Sequence, residues 1–170
     1  DPVQDVVNGN GLVELTAIIS DNDVRTSLGA ESGAVRKVLW EAGDQIALFD
    51  DTSFAREFTL SSAAGSNSGT FKGSATANLA SESYYAVYPL SAAKGLVQDG
   101  VEIPLDAVQT RTDGGDTPMV GLTKADGSVA FSSVCGLLEF RLTGLATTLE
   151  SITITSKTAS LSGCGPCECL

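Results

Sequence analysis

Residues 38–49, VLWEAGDQIALF, place a turn between two β-prone runs. Gly43 and Asp44 are typical turn residues, because glycine tolerates unusual backbone angles and aspartate bonds to nearby amides. The run that follows, Gln45–Phe49, has four apolar residues in succession, which is typical of a strand buried on both faces. The stretch therefore predicts a tight turn that directs the chain into a buried strand.

The predicted core is built around this turn. Trp40 is the only tryptophan of the chain and precedes the turn, so its ring is expected to fill the core. Ile46 and Leu48 follow in the buried strand. The sequence YYAVY carries the strongest strand signal in the chain, and a proline ends it. We assign Tyr85 and Val87 of this run to the core, with a tyrosine binding stripe as the alternative.

Alternation of apolar and polar residues with a period of two continues on both sides of the turn, as expected for half-buried strands. It predicts about ten short strands, at the spacing of a β-sandwich or barrel, and no convincing amphipathic helix. A proline inside 101–105 predicts an edge strand there, and Asp126-Gly127 predicts a hairpin turn. The predicted strands are 12–19, 35–40, 45–49, 56–60, 70–73, 84–88, 101–105, 120–124, 129–131, 137–142 and 149–155.

The charge of the chain limits its partners. The 170 residues include 10 Lys and Arg against 21 Asp and Glu, which gives a formal net charge of −11. Such a chain is repelled by nucleic-acid phosphates and by anionic membrane surfaces. No run of apolar residues is long enough to cross a bilayer. We expect neither a nucleic-acid partner nor a direct membrane span.

Histidine is absent from the chain. Its absence excludes Ser-His-Asp and Cys-His catalysis and the HExxH zinc site. Ser-Lys nucleophiles and carboxylate pairs remain open, but one tryptophan and no aromatic cluster in a loop argue against a glycosidase platform. We predict that the chain is not an enzyme and has no catalytic residues.

Acidic residues cluster at 21–23, 50–51 and 113–116. Calcium requires carboxylates and carbonyls that converge from one loop, and none of these clusters has the spacing of an EF-hand. We predict solvated turns, with a weak calcium site as the alternative. No metal or cofactor is expected.

Cysteines crowd the C-terminal end, where Cys164, Cys167 and Cys169 fall within the last seven residues. A disulfide scaffold would spread its cysteines through the chain. We therefore predict a domain at residues 1–163 and a Cys-rich tail at residues 164–170 that is not part of the fold.

The tail contains the motif CGPC, the spacing of a thioredoxin-type redox pair. That chemistry needs a helix N-terminus at the first cysteine, and too few residues follow to form one. The last four residues fit a prenylation box only superficially. A thiolate metal site would need a fourth ligand from Glu168 or Cys135. We predict an exposed tail with none of these functions.

Several segments follow one another in a recognisable order. Arg25-Thr26 precedes the pattern W-x-x-GD-x-I of residues 40–46, and FTL, TFKG, YYAVYP, IPL, PMVG and SITI come after it. This succession, from about residue 12 to residue 163, resembles the N-terminal domain of fimbrillin-like proteins of Bacteroides-type bacteria.

The resemblance implies an all-β fold, a Greek-key transthyretin-like β-sandwich of about seven to ten strands. It also implies a non-catalytic structural and adhesive subunit of a fimbrium, or pilus. Such subunits assemble by strand donation, in which a strand of one subunit completes the sheet of the next. The expected partners are other fimbrial subunits, in a homo- or hetero-polymer, and a host or bacterial surface ligand.

The resemblance further implies export as a lipoprotein to the cell surface, at the outer membrane. The chain begins with Asp1 and not with Met, so we expect that an export signal has been removed. Fimbrillins usually have a second sandwich domain, and this chain corresponds to the first. The alternative function is a secreted or lipid-anchored β-sandwich module that binds a glycan or a host ligand.

Overall fold

In the computed structural model, the described residues are 12–20, 27–28, 38–49, 55–74, 83–97, 100–105, 117–135, 143–144, 148–157 and 163–167. Their secondary structure is β except for one 3₁₀ turn at Leu90–Ala92. The strands are β1 (Val13–Ile19), β2 (Ser27–Leu28), β3 (Val38–Leu39), β4 (Gln45–Phe49), β5 (Arg56–Leu60), β6 (Ser68–Gly73), β7 (Tyr85–Tyr88), β8 (Gly95–Val97), β9 (Gly100–Leu105), β10 (Met119–Leu122), β11 (Ser128–Ser133) and β12 (Gly163–Cys167).

Seven of the strands close into a barrel in the order β1-β11-β10-β7-β4-β5-β6. β1 completes the closure, because it pairs antiparallel with β6 on one side and parallel with β11 on the other. The remaining neighbours in the barrel are antiparallel. Two further sheets have the orders β12-β9-β8 and β2-β3.

The all-β class is confirmed, but the main sheet is a closed barrel and not clearly the predicted Greek-key sandwich. The difference comes from β1, whose two edges are both occupied. A sandwich would leave the outer strands of its sheets with one free edge each, whereas closure removes the edges. Alternating burial is common to both architectures, so the sequence pattern does not distinguish them.

The barrel interior holds the larger core, and β1 shows how the sequence builds it. Leu15, Ala17 and Ile19 are buried, while Thr16 and Ile18 between them are exposed. Side chains of a strand alternate between the two faces of the sheet, so one face of β1 lines the barrel. The predicted alternation of this strand is confirmed.

A second core lies outside the barrel. β4 has four buried residues in succession, which confirms that this strand is buried on both faces. Ile46 and Leu48 belong to the inner core, whereas Ala47 and Phe49 cluster with Val101 and other buried residues on the outer side. The three-stranded sheet therefore covers one face of the barrel through β9.

The predicted hairpin between β10 and β11 is confirmed. Gly127 has a φ of +73°, in the left-handed region that favours glycine. Its amide donates to the Lys124 carbonyl at 2.9 Å, and the Lys124 amide donates to the Ser128 carbonyl at 2.8 Å. The Asp-Gly signal was sufficient to locate this turn.

The prediction that 101–105 forms an edge strand is wrong, because β9 lies between β12 and β8. β8 pairs only with the first part of β9, from Gly100 to Glu102. Pro104 lies beyond the end of β8 and is opposite Cys164 of β12. A proline has no amide hydrogen to donate to a neighbouring strand. The missing donor is tolerated at Pro104 because only β12 lies beside this position.

Part of the tail also differs from its prediction. Gly163–Cys167 forms β12, antiparallel to β9, with Gly165 opposite Ile103. The backbone at 163–167 therefore belongs to a sheet, although residues 164–170 were expected to lie outside the fold. The division of the chain at residue 163 otherwise stays a prediction.

The strand predicted at 149–155 is absent, since residues 148–157 form no strand. The strand predicted at 137–142 and residues 35–37 lie outside the described residues.

Candidate functional site

Trp40 occupies the centre of the barrel core, with 1% of its surface exposed. Its ring meets three others edge to face, with centroid distances of 5.0 Å to Phe71, 5.4 Å to Tyr88 and 5.8 Å to Phe131. The indole N–H donates to the buried carbonyl of Ala17 at 3.2 Å. A ring enclosed in this way, with its only donor in use, packs the core and is not available to a ligand.

The turn at residues 41–44 is held by the side chain of Asp44. Gly43 has a φ of +93°, which places it in the region that favours glycine. The Asp44 carboxylate accepts from the Glu41 amide at 2.7 Å and from the Tyr88 hydroxyl at 3.0 Å. Its carbonyl accepts from the Leu60 amide at 2.9 Å. Asp44 therefore connects the turn to β5 and β7, a structural role that goes beyond the turn position predicted from the sequence.

A shallow pocket of about 280 Å³ opens beside this turn. It lies where β4 begins and β7 ends, because these neighbours are antiparallel. The Gln45 amide nitrogen donates to the Glu57 carboxylate and, at 3.3 Å, to the Thr59 hydroxyl. Much of the polar capacity of the pocket is thus already used within the protein. The lining residues are Gly43, Asp44, Gln45, Tyr88, Pro89, Leu90 and Ser91.

The remaining residues predicted for the core lie in two separate clusters. Ile46 and Leu48 are fully buried inside the barrel. Val87 is fully buried in the outer cluster, and Tyr85 is half-buried against that cluster. Neighbouring positions of β4 and β7 alternate between the two faces of the sheet. The outer positions are buried because β9 and the partly buried residues Leu90 and Val134 pack against them.

β8 forms an open edge of the three-stranded sheet. It pairs with β9 on one side, and no other strand of the described residues pairs with its second side. Leu96 is 40% exposed and Val97 is 37% exposed on this short strand. Sequence reasoning missed β8, although the Asp-Gly pair at 99–100 separates two apolar runs and is the same hairpin signal that located 126–127.

A second exposed apolar feature lies at residues 148–157, here named the C-terminal exposed segment. Leu149, Ile152 and Ile154 have exposed fractions of 46%, 45% and 46%. These are the largest values among the exposed large apolar side chains of the described residues. Sequence reasoning identified the β-type pattern of this segment, but the structure places the segment outside any strand.

Asp126 is a carboxyl of the described part of the chain whose pKa is shifted. Two hydrogen bonds from Ser128 to the exposed Asp126 carboxylate hold the pKa of that carboxyl below its usual value of 3.8. Among the described residues, no group of three or more acidic or cysteine side chains is arranged to hold a metal ion. The acidic clusters at 21–23, 50–51 and 113–116, and with them the weak calcium site, lie outside the described residues.

Comparison with known proteins returned no match: no family model, no curated protein and no solved structure is similar to the chain. The resemblance to fimbrillin-like proteins therefore stays a prediction. Within the described residues, no helix has the length and apolar character needed to cross a membrane.

Proposed function

We propose that the chain is a non-catalytic structural and adhesive protein of the bacterial cell surface. In this proposal it is a fimbrial subunit, or the N-terminal domain of one, and it assembles by strand addition. The observation that carries the proposal is the open edge at β8, with Leu96 and Val97 exposed beside it. Export as a lipoprotein, the outer-membrane location and the Bacteroides-type source are parts of the proposal that rest on the resemblance.

The physical basis is the contrast between the barrel and the three-stranded sheet. The barrel has no free strand edge among the described strands, so it offers no place for a further strand. β8 presents backbone amides and carbonyls that a strand from another subunit would bond, and its apolar side chains would be covered by that strand. Backbone hydrogen bonds would supply affinity, and alternate side chains would fix the register.

The chemistry of the chain agrees with a non-catalytic function. It has no histidine and a net charge of −11, and the large aromatic side chains near the turn are engaged in packing. Strand addition requires only an available edge, not a catalytic group.

Negative-stain imaging of native surface material, with an antibody to this domain, tests the proposal. We expect labelled filaments from the unaltered protein and loss of incorporation for Leu96→Lys, since a lysine on an edge strand opposes strand pairing. Ile18→Lys is the matched control, because Ile18 is 37% exposed on a strand whose two edges are both paired. Labelled material without filaments, or equal incorporation of both variants, would contradict the proposal.

The second candidate function is a binding module for a glycan or a host ligand. The pocket beside Asp44 favours it, because a concavity lined by a few polar side chains is the usual form of a small-ligand site, even though the Asp44 carboxylate and the Gln45 amide also bond within the protein. Glycan-array binding by a protein that never forms filaments would support this candidate. Asp44→Asn should then weaken binding, and unchanged binding by that variant would exclude the pocket.

A further inference from the structure

We draw no further inference here: the strongest candidate, the surface patch of apolar side chains on the C-terminal exposed segment at residues 148–157, carries nothing because nothing in the structure shows what covers it.

Discussion

Replacing Trp40 with alanine should remove the largest single contribution to the inner core. The ring is 1% exposed and contacts three aromatic rings, so its loss leaves a cavity that these neighbours cannot fill. Large-to-small substitutions of buried tryptophan cost about 3–5 kcal/mol. The hydrogen bond from the indole to the buried carbonyl of Ala17 is also lost, which places the expected loss near the upper end, at about 5 kcal/mol.

Trp40→Phe separates the contribution of aromatic packing from that of the hydrogen bond to Ala17. It keeps an aromatic ring and removes the N–H that bonds Ala17, so it should cost about 1–2 kcal/mol. This variant also keeps the test decisive if Trp40→Ala fails to fold, since small domains have only about 5–15 kcal/mol of total stability. Leu96→Ala, on the exposed β8, is the matched control and should change stability by less than about 0.5 kcal/mol.

Urea titration followed by far-ultraviolet circular dichroism measures these losses, because the variants lack the only tryptophan and its fluorescence. A loss below about 1 kcal/mol for Trp40→Ala would refute the reasoning. It would mean that the ring is not enclosed in solution, and Trp40 would again be a candidate for binding.

Two other positions give equally direct tests. Gly73→Ala should destabilise the protein by about 1–3 kcal/mol in the same titration, because the added Cβ would lie 2.3 Å from the Glu57 carbonyl oxygen. Gly95→Ala, where an added Cβ meets nothing within 4 Å, should leave stability unchanged or slightly raised, and equal losses at the two sites would contradict the packing at Gly73. At Asp126, a carbon-13 NMR titration should find the pKa below its usual value of 3.8, with a shift back toward that value in Ser128→Ala. Because the folded-state pKa is lowered, the ionised carboxylate stabilises the hairpin above the usual pKa, and this contribution is lost as the pH falls through the lowered pKa. An unshifted Asp126, or a Ser128→Ala variant with the same pKa, would show that the Ser128 bonds do not hold in solution.

The local pattern of apolar and polar residues was sufficient to locate most of the strands. A period of two located β1, β5 and β6, and an unbroken apolar run located β4. These signals are local because the alternation of side chains across a strand depends only on the extended backbone. The turns at Gly43 and Gly127 were predictable for the same reason, since each requires a residue that adopts positive φ.

Two strands were misjudged because pairing is not local. β9 contains a proline and was assigned to an edge, but it lies between two other strands. It tolerates the proline because β8 ends before Pro104. β12 was assigned to a tail outside the fold, although it pairs with β9. No property of residues 163–167 alone shows which distant strand has a free edge to accept them.

The sequence by itself determined an all-β protein with a tryptophan-centred core, no histidine chemistry and an acidic surface. Only the tertiary structure decided that the main sheet closes into a barrel, that β4 and β7 contribute to two separate cores, and that one edge of β8 stays unpaired among the described strands. The physical reason is that the alternation of apolar and polar side chains is fixed by each strand's own residues. Whether the sheet closes, which of its faces is covered and which strand edges stay unpaired depend on which strands pair, and the pairing strands are distant in the chain.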